Sequence, residues 1–138
     1  MDRKLIAAIA VICAIAGCGG SGRLSRADFV ARANAVCRQR VATISSMQKR
    51  YARDFRGFVA AAAPIASRSV DDLRAIKPPS SLQGAYDRFL AGEQAQVSHI
   101  RAIVAAQKAG RSPDAHESIA DIHRQAKIAR SLALDACV

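Results

Sequence analysis

The 138-residue chain is predicted to be all-α: an up-down bundle of about four helices behind an N-terminal signal peptide and a glycine-rich tether. Apolar residues recur at spacings of three to five along most of the chain, which is the period of an amphipathic helix. No stretch alternates apolar and polar residues as a half-buried strand does. The breaks between the helical segments are short, and short connections make successive helices antiparallel neighbours.

The first helix is predicted to begin after Ser25, whose hydroxyl is placed to cap it, with Asp28 at the third helical position. Its end is open between Gly57 and Pro64. Aromatic residues make up 4% of the chain and Trp is absent, so we expect the core to consist of Ala, Val, Ile and Leu. The apolar stripe of this helix comprises Phe29, Ala33, Val36, Val41, Ile44, Met47, Tyr51 and Phe55.

Three further helices follow from the apolar positions and the breaks between them. A shorter second helix carries Ile65, Val70, Leu73 and Ile76, and Pro78-Pro79 ends it because consecutive prolines cannot continue a helix. A third begins near Ser80 or Ser81 and ends before Gly110, a natural residue after a helix C-terminus. Ser112-Pro113-Asp114 predicts the start of a fourth helix that runs to Cys137.

Residues 1–17 have the organisation of a secretory signal peptide. Two basic residues, Arg3 and Lys4, precede an apolar run from Leu5 to Gly17. A helix of that length spans about 20 Å, which is short of the roughly 30 Å hydrocarbon core of a bilayer. An uncleaved anchor and a buried helix are the alternatives.

The end of this segment, Ile15-Ala16-Gly17-Cys18, resembles the lipobox of bacterial lipoproteins, and all four positions match. The resemblance implies that Cys18 receives a diacylglyceryl group and becomes the mature N-terminus after cleavage. It also implies export and lipid anchoring at the extracytoplasmic face of the cell membrane. Residues 18–24 then form the lipidated N-terminus and a flexible tether, and residues 25–138 form the bundle domain.

Cysteine counting agrees with that expectation. Cys13 would leave with the signal peptide and Cys18 would be blocked by its thioether. Cys37 and Cys137 remain, an even pair in an oxidising compartment. Antiparallel packing brings the early part of helix 1 to the end of helix 4, which favours a disulfide; two separately buried thiols are the alternative.

The mature region also resembles small exported bacterial helical proteins that have no assigned activity. The resemblance lies in an early helix like Phe29-Val-Ala-Arg-Ala-Asn-Ala-Val-Cys37, a central Pro-Pro turn and a C-terminal cysteine. It implies the helical fold and the cysteine pair, and no activity.

The sequence contains few groups that carry chemistry. His99, His116 and His123 are candidate metal ligands, with exposed helical histidines as the alternative. Zincin, haem-attachment, phosphate-loop, dinucleotide and nucleophile-elbow motifs are absent from the sequence, and Glu occurs only at positions 93 and 117. We therefore expect no enzyme and no cofactor.

Charge is the remaining functional signal. The net charge is +10, and nine basic residues between positions 23 and 56 face only two acidic ones. Next to a lipid anchor this segment is predicted to contact anionic phospholipid headgroups, although a solvated basic face is the alternative. Nucleic acid is not expected as a partner, because exported proteins rarely meet it and stacking aromatics are few. The predicted contact residues are Arg23, Arg26, Arg32, Arg38 and Arg40.

The expected function is that of a membrane-anchored envelope lipoprotein serving as a non-catalytic binding or structural module. A carrier that holds a small molecule, metal or haem inside the bundle is the alternative. The sequence does not identify a protein partner.

Overall fold

The computed structural model describes residues 22–112 and 117–138, with the backbone alone for residues 117–120. The predicted all-α bundle is confirmed: every regular element within these residues is helical, and four helices pack against one another. Successive helices are neighbours in space. The helices are α1 (Arg26–Gln48), α2 (Phe55–Arg74), α3 (Gln83–Lys108) and α4 (Glu117–Ser131), with 3₁₀ turns at Ser80–Leu82 and Asp135–Cys137.

Helix α1 begins where its capping residue predicted. The Ser25 hydroxyl accepts a hydrogen bond from the backbone N–H of Asp28 (3.1 Å) and donates one to its carboxylate (2.7 Å). Phe29, Ala33 and Cys37, at spacings of four, form the buried face. The cap and the apolar spacing therefore act together to orient this helix.

The predicted end of the first helix is wrong. Helix α1 stops at Gln48, and its stripe does not continue to Phe55, which is 68% exposed; Val41 is 51% exposed. The chain reverses over residues 49–53, and Asp54 then caps α2 by accepting the N–H of Gly57 (2.8 Å). The Asp54 cap was the missed signal. A Cβ at position 57 would overlap the Asp54 carboxylate, so glycine makes the close cap possible.

The separate short second helix is also wrong, because α2 runs through Pro64. Proline removes one backbone donor and leaves the carbonyl four residues earlier, at Ala60, without its helical partner. Both residues are exposed, so water can hydrate that carbonyl. Burial of Ala62, Ala66, Val70 and other residues on the opposite face holds the helix together across the proline.

Helix α3 follows the Ser80–Leu82 turn and therefore starts slightly later than predicted. Its C-terminus agrees with the expectation for Gly110, which has a φ of +68°. The N–H of Gly110 bonds to the carbonyl of Gln107 (3.1 Å), and that of Arg111 bonds to Ala106 (2.9 Å). This pair of bonds is a Schellman motif, which satisfies carbonyls at the helix end.

The centre of the core is aromatic, contrary to the prediction of an aliphatic core. Phe29 meets Tyr86 edge to face at 4.9 Å, and Tyr86 stacks on Phe89 at 5.9 Å. All three are fully buried, and Leu73 and Leu132 pack with them. Composition misled here because three large rings at one level fill the space that many small side chains would need.

Helix α4 ends at Ser131, so the prediction that it reaches Cys137 is wrong. A second Schellman motif ends it, with the N–H of Leu134 bonded to Ala129 (2.9 Å) and that of Ala133 to Arg130 (3.0 Å). Ala133 stands at the left-handed position with a φ of 59°. The turn returns the last residues of the chain to α1.

The Asn34 side chain holds this C-terminal hook against α1. Its amide nitrogen donates to the carbonyl of Ala133 (3.0 Å), and its amide oxygen accepts the N–H of Ala136 (2.9 Å). These two bonds, formed at both ends of the hook, fix its register before Cys137.

Candidate functional site

Cys37 and Cys137 form a disulfide, as predicted, with their Cα atoms 5.0 Å apart. Cys37 is fully buried three turns into α1, and Cys137 lies in the terminal 3₁₀ turn. The covalent bond closes the end of the bundle that also contains the start of α1. We call this the base, and the opposite end, with the α1–α2 connection and the end of α3, the distal end.

A buried ionic network joins three helices. The Arg40 guanidinium pairs with the Glu93 carboxylate, and their side chains are 15% and 3% exposed. The Gln125 amide donates to the carbonyl of Phe89 (2.7 Å) and to the other Glu93 oxygen (3.3 Å). A Cβ at Gly92 would overlap the Gln125 amide, so glycine lets α3 and α4 approach at this point.

This network was not predicted, and Arg40 was predicted to contact the anionic surface instead. Arg40 is committed to Glu93 instead, so we remove it from that surface. One signal could have revealed the network: Glu93 lies four residues from both Phe89 and Val97, which puts a carboxylate on the buried stripe of α3. A buried carboxylate requires a partner, and arginine is the usual one.

Tyr86 lies close to this network. Its hydroxyl donates to the carbonyl of Leu73 (2.7 Å), which ties α3 to the end of α2. Burial, and secondarily the negative charge of Glu93, raises the pKa of Tyr86 well above its ordinary value of 10.0. The phenol therefore stays protonated and serves the core as a hydrogen-bond donor.

The other four predicted contact residues, Arg23, Arg26, Arg32 and Arg38, are exposed. Arg23 donates to the carbonyl of Pro78 (2.9 Å) and to the Gln83 side chain (2.6 Å), which holds it at the base. The other three are six residues apart, and each step rotates by about 240° around the helix. They therefore point in three directions and do not form one basic face.

Of the candidate histidines, His99 and His123 lie in the part of the chain that the structure describes. His99 lines a groove between α3 and α4, His123 is exposed, and His116 lies outside the described residues. Among the positions that the structure describes, no group of three His, Cys, Asp or Glu side chains is arranged to hold a metal. The Nε2 atom of His99 is buried without a hydrogen-bond partner.

Two grooves follow the helix seams. The α3–α4 groove has a volume of about 1120 Å³ and is mainly apolar, with His99, Ile100, Ile103 and Ile122 among its walls. The α1–α2 groove is smaller, about 570 Å³, and is lined by Arg40, Arg68 and Ser69 among others. Small molecules in proteins commonly bind in clefts of these sizes.

The predicted lipidation site Cys18 and the signal peptide of residues 1–17 lie outside the described residues, as does most of the tether. In residues 22–112 and 117–138, no helix combines the length and the apolar character required to cross a bilayer. No protein-family model, curated protein or solved structure matches the chain.

Proposed function

We propose that this protein is an envelope lipoprotein, anchored through Cys18, whose disulfide-closed helical bundle is a non-catalytic binding or structural module at the membrane surface. The observation that carries the proposal is the Cys37–Cys137 bond. It joins the two thiols that would remain after signal-peptide cleavage and lipidation of Cys18. Disulfides of this structural kind persist in oxidising, extracytoplasmic compartments.

The position of the domain start supports an orientation with the base toward the membrane. Gly22 and Arg23 lie beside Lys77 and Pro78 at the base, directly after the proposed tether. A tether of a few residues keeps this end within a short distance of the anchor. Arg26 then lies near the headgroups, while Arg32 and Arg38 are about 9 and 18 Å further along α1.

Anchoring is tested with the full chain carrying Cys18→Ala, expressed in a bacterium that processes lipoproteins. The wild-type chain should enter the detergent phase and carry acyl chains at its mature N-terminus by mass spectrometry. The variant should lose both properties, because it lacks the thiol that accepts the diacylglyceryl group and with it the two acyl chains that give stable attachment. Unchanged detergent partitioning and an unmodified Cys18 in the wild type would refute lipidation.

Orientation is tested by binding the Cys18→Ala chain to vesicles of phosphatidylcholine with and without phosphatidylglycerol. Arg26→Gln should weaken binding about fivefold, the effect of roughly 1 kcal/mol per basic residue near an anionic surface. Arg32→Gln should have less effect, and Arg38→Gln the least, because screening acts over about 8–10 Å. Equal losses from all three variants would contradict a base-down orientation.

The α3–α4 groove favours a second candidate, a carrier of an apolar small molecule. Its walls are mainly apolar, and His99 presents a buried nitrogen without a described partner. A fluorescent apolar probe should bind the wild-type chain and lose affinity in Ala95→Phe, which narrows the groove. Elemental analysis and an absorbance spectrum of the purified protein separate a metal or haem carrier from an apolar one. The carrier would be excluded if no probe bound, the elemental analysis found no metal and the spectrum showed no cofactor absorbance.

A further inference from the structure

The distal end contains a third depression, which neither the anchor nor the base explains. It lies between the α1–α2 connection and the end of α3, with a volume of about 500 Å³. Since α1 has 23 residues, about 35 Å of helix separates this end from the base. We call it the distal pocket, defined by Arg53, Asp54, Phe55, Arg56, Gln107, Gly110, Arg111 and Ser112.

Positive charge converges on the distal pocket from two separate parts of the chain. Arg53 comes from the α1–α2 connection and Arg56 from the first turn of α2, and Arg111 comes from the turn after α3. The Schellman motif at Gly110 turns the chain so that Arg111 joins the other two. Arginines from distant sequence positions around one concavity are the arrangement that binds a multivalent oxyanion, because each guanidinium offers several donors in a fixed plane.

The single carboxylate in the distal pocket is already engaged. Asp54 caps α2 through the N–H of Gly57, so its charge is directed to the helix terminus. The pocket lining therefore has a net positive charge with three cations and one anion.

Phe55 gives the distal pocket an aromatic wall. Its side chain is 68% exposed, whereas Phe29, Tyr86 and Phe89 are fully buried. A ring beside cations favours a ligand that is anionic at one end and presents the face of a ring at the other. A volume of 500 Å³ lies within the range of small-ligand sites.

From these observations we propose that the distal pocket binds a small phosphate monoester that bears a ring, such as a sugar phosphate or a nucleotide. Arg53, Arg56 and Arg111 donate hydrogen bonds to the phosphate oxygens, and the ring of the ligand stacks on Phe55. The observations that define this site do not involve the anchor. In the proposed base-down orientation, which is the one point taken from the proposed function, the site faces away from the headgroups of the anchoring membrane.

The test measures binding of inorganic phosphate, glucose 6-phosphate, adenosine monophosphate and adenosine to the purified, oxidised full chain by calorimetry and amide NMR. We expect adenosine monophosphate and glucose 6-phosphate to bind more tightly than phosphate alone, and adenosine to bind least. Shifts of amide signals should centre on residues 53–57 and 107–112. Failure of all three phosphates to bind at millimolar concentrations would overturn the proposal.

Matched variants separate a built site from general charge attraction. The triple variant Arg53→Gln, Arg56→Gln, Arg111→Gln should weaken nucleotide binding about tenfold or more, since it removes every charge-assisted donor. A control that removes three exposed basic residues elsewhere, Arg74→Gln, Lys127→Gln and Arg130→Gln, should change the affinity less than about twofold. Equal weakening by both triples would show that only net charge matters.

Phe55→Ala distinguishes the ring contact from the phosphate contact. It should weaken adenosine monophosphate several-fold and leave inorganic phosphate unchanged, because Phe55 is proposed to touch only the ring. Binding to vesicles that contain phosphatidylglycerol is measured as well. If no phosphate monoester binds and the triple variant at Arg53, Arg56 and Arg111 loses vesicle binding, the pocket binds lipid headgroups and the proposal is wrong. The anchoring test with Cys18→Ala is independent of all these outcomes.

Discussion

Replacing Arg40 by methionine should destabilise the bundle severely. The substitution keeps a long apolar stem on α1 but removes the cation. It leaves Glu93, whose side chain is 3% exposed, without a positively charged partner. Only the Gln125 amide would then remain as a described donor, at 3.3 Å. Breaking a buried ion pair from one side costs about 3–5 kcal/mol because an uncompensated charge stays buried. A loss of this size lowers the melting temperature by about 10–20 °C in a domain of this length.

The assay is urea denaturation followed by circular dichroism, with the disulfide intact in every variant. Glu93→Gln is the matched control. It leaves the guanidinium of Arg40 without its carboxylate, but that side chain is 15% exposed and reaches water, so this variant should lose less free energy of unfolding than Arg40→Met. The double variant Arg40→Met, Glu93→Met should recover much of the lost stability, since apolar residues replace buried ion pairs well. A cost below about 1 kcal/mol for Arg40→Met, or a larger cost for Glu93→Gln, would refute this reasoning.

Three further predictions concern the ends of helices and the core. Cys137→Ser should lower the free energy of unfolding by up to about 4–5 kcal/mol, because the bond closes a sequence separation of 100 residues; reductant should destabilise the wild type equally and leave the variant unchanged. Ala133→Gly should stabilise the protein by about 1 kcal/mol, because glycine adopts a φ of 59° without strain. Gly110→Ala should destabilise it by a similar amount, because the φ there is +68° although the space around it is open. Melting temperatures that change in the same direction in both variants would contradict this expectation. The raised pKa of Tyr86 means that the folded state keeps a proton that the unfolded state releases near pH 10, so stability should be intact below pH 10 and fall above it. Tyr86→Phe should show a smaller alkaline loss in denaturation curves, and an identical loss in both proteins would exclude Tyr86 as the cause.

Sequence periodicity was sufficient to predict the number and order of the helices, because a stripe of apolar residues at helical spacing must be buried against another element. Capping chemistry placed the start of α1 at Ser25 and the end of α3 before Gly110, since both depend on local backbone groups. The cysteine pair was also predictable, because an up-down arrangement of four helices returns the C-terminus of the chain to the end where the first helix starts.

Helix boundaries within good helix-forming sequence were harder to predict. Pro64 looked like a terminus, yet burial of the opposite face of α2 outweighs one missing hydrogen bond at an exposed position. The end of α4 shows the same limit, because Ala133 adopts a conformation that alanine disfavours. The two bonds from Asn34 and the disulfide that follows supply the free energy that holds it there.

The helical pattern and the capping residues depend on side chains a few positions apart, so the sequence determines them locally. Only the tertiary structure could show that Arg40 belongs to Glu93 and the core, and that Arg53, Arg56 and Arg111 surround one pocket. Those associations join residues more than 50 positions apart, and they depend on which helix faces meet, a choice that packing of the whole bundle makes and no single segment encodes.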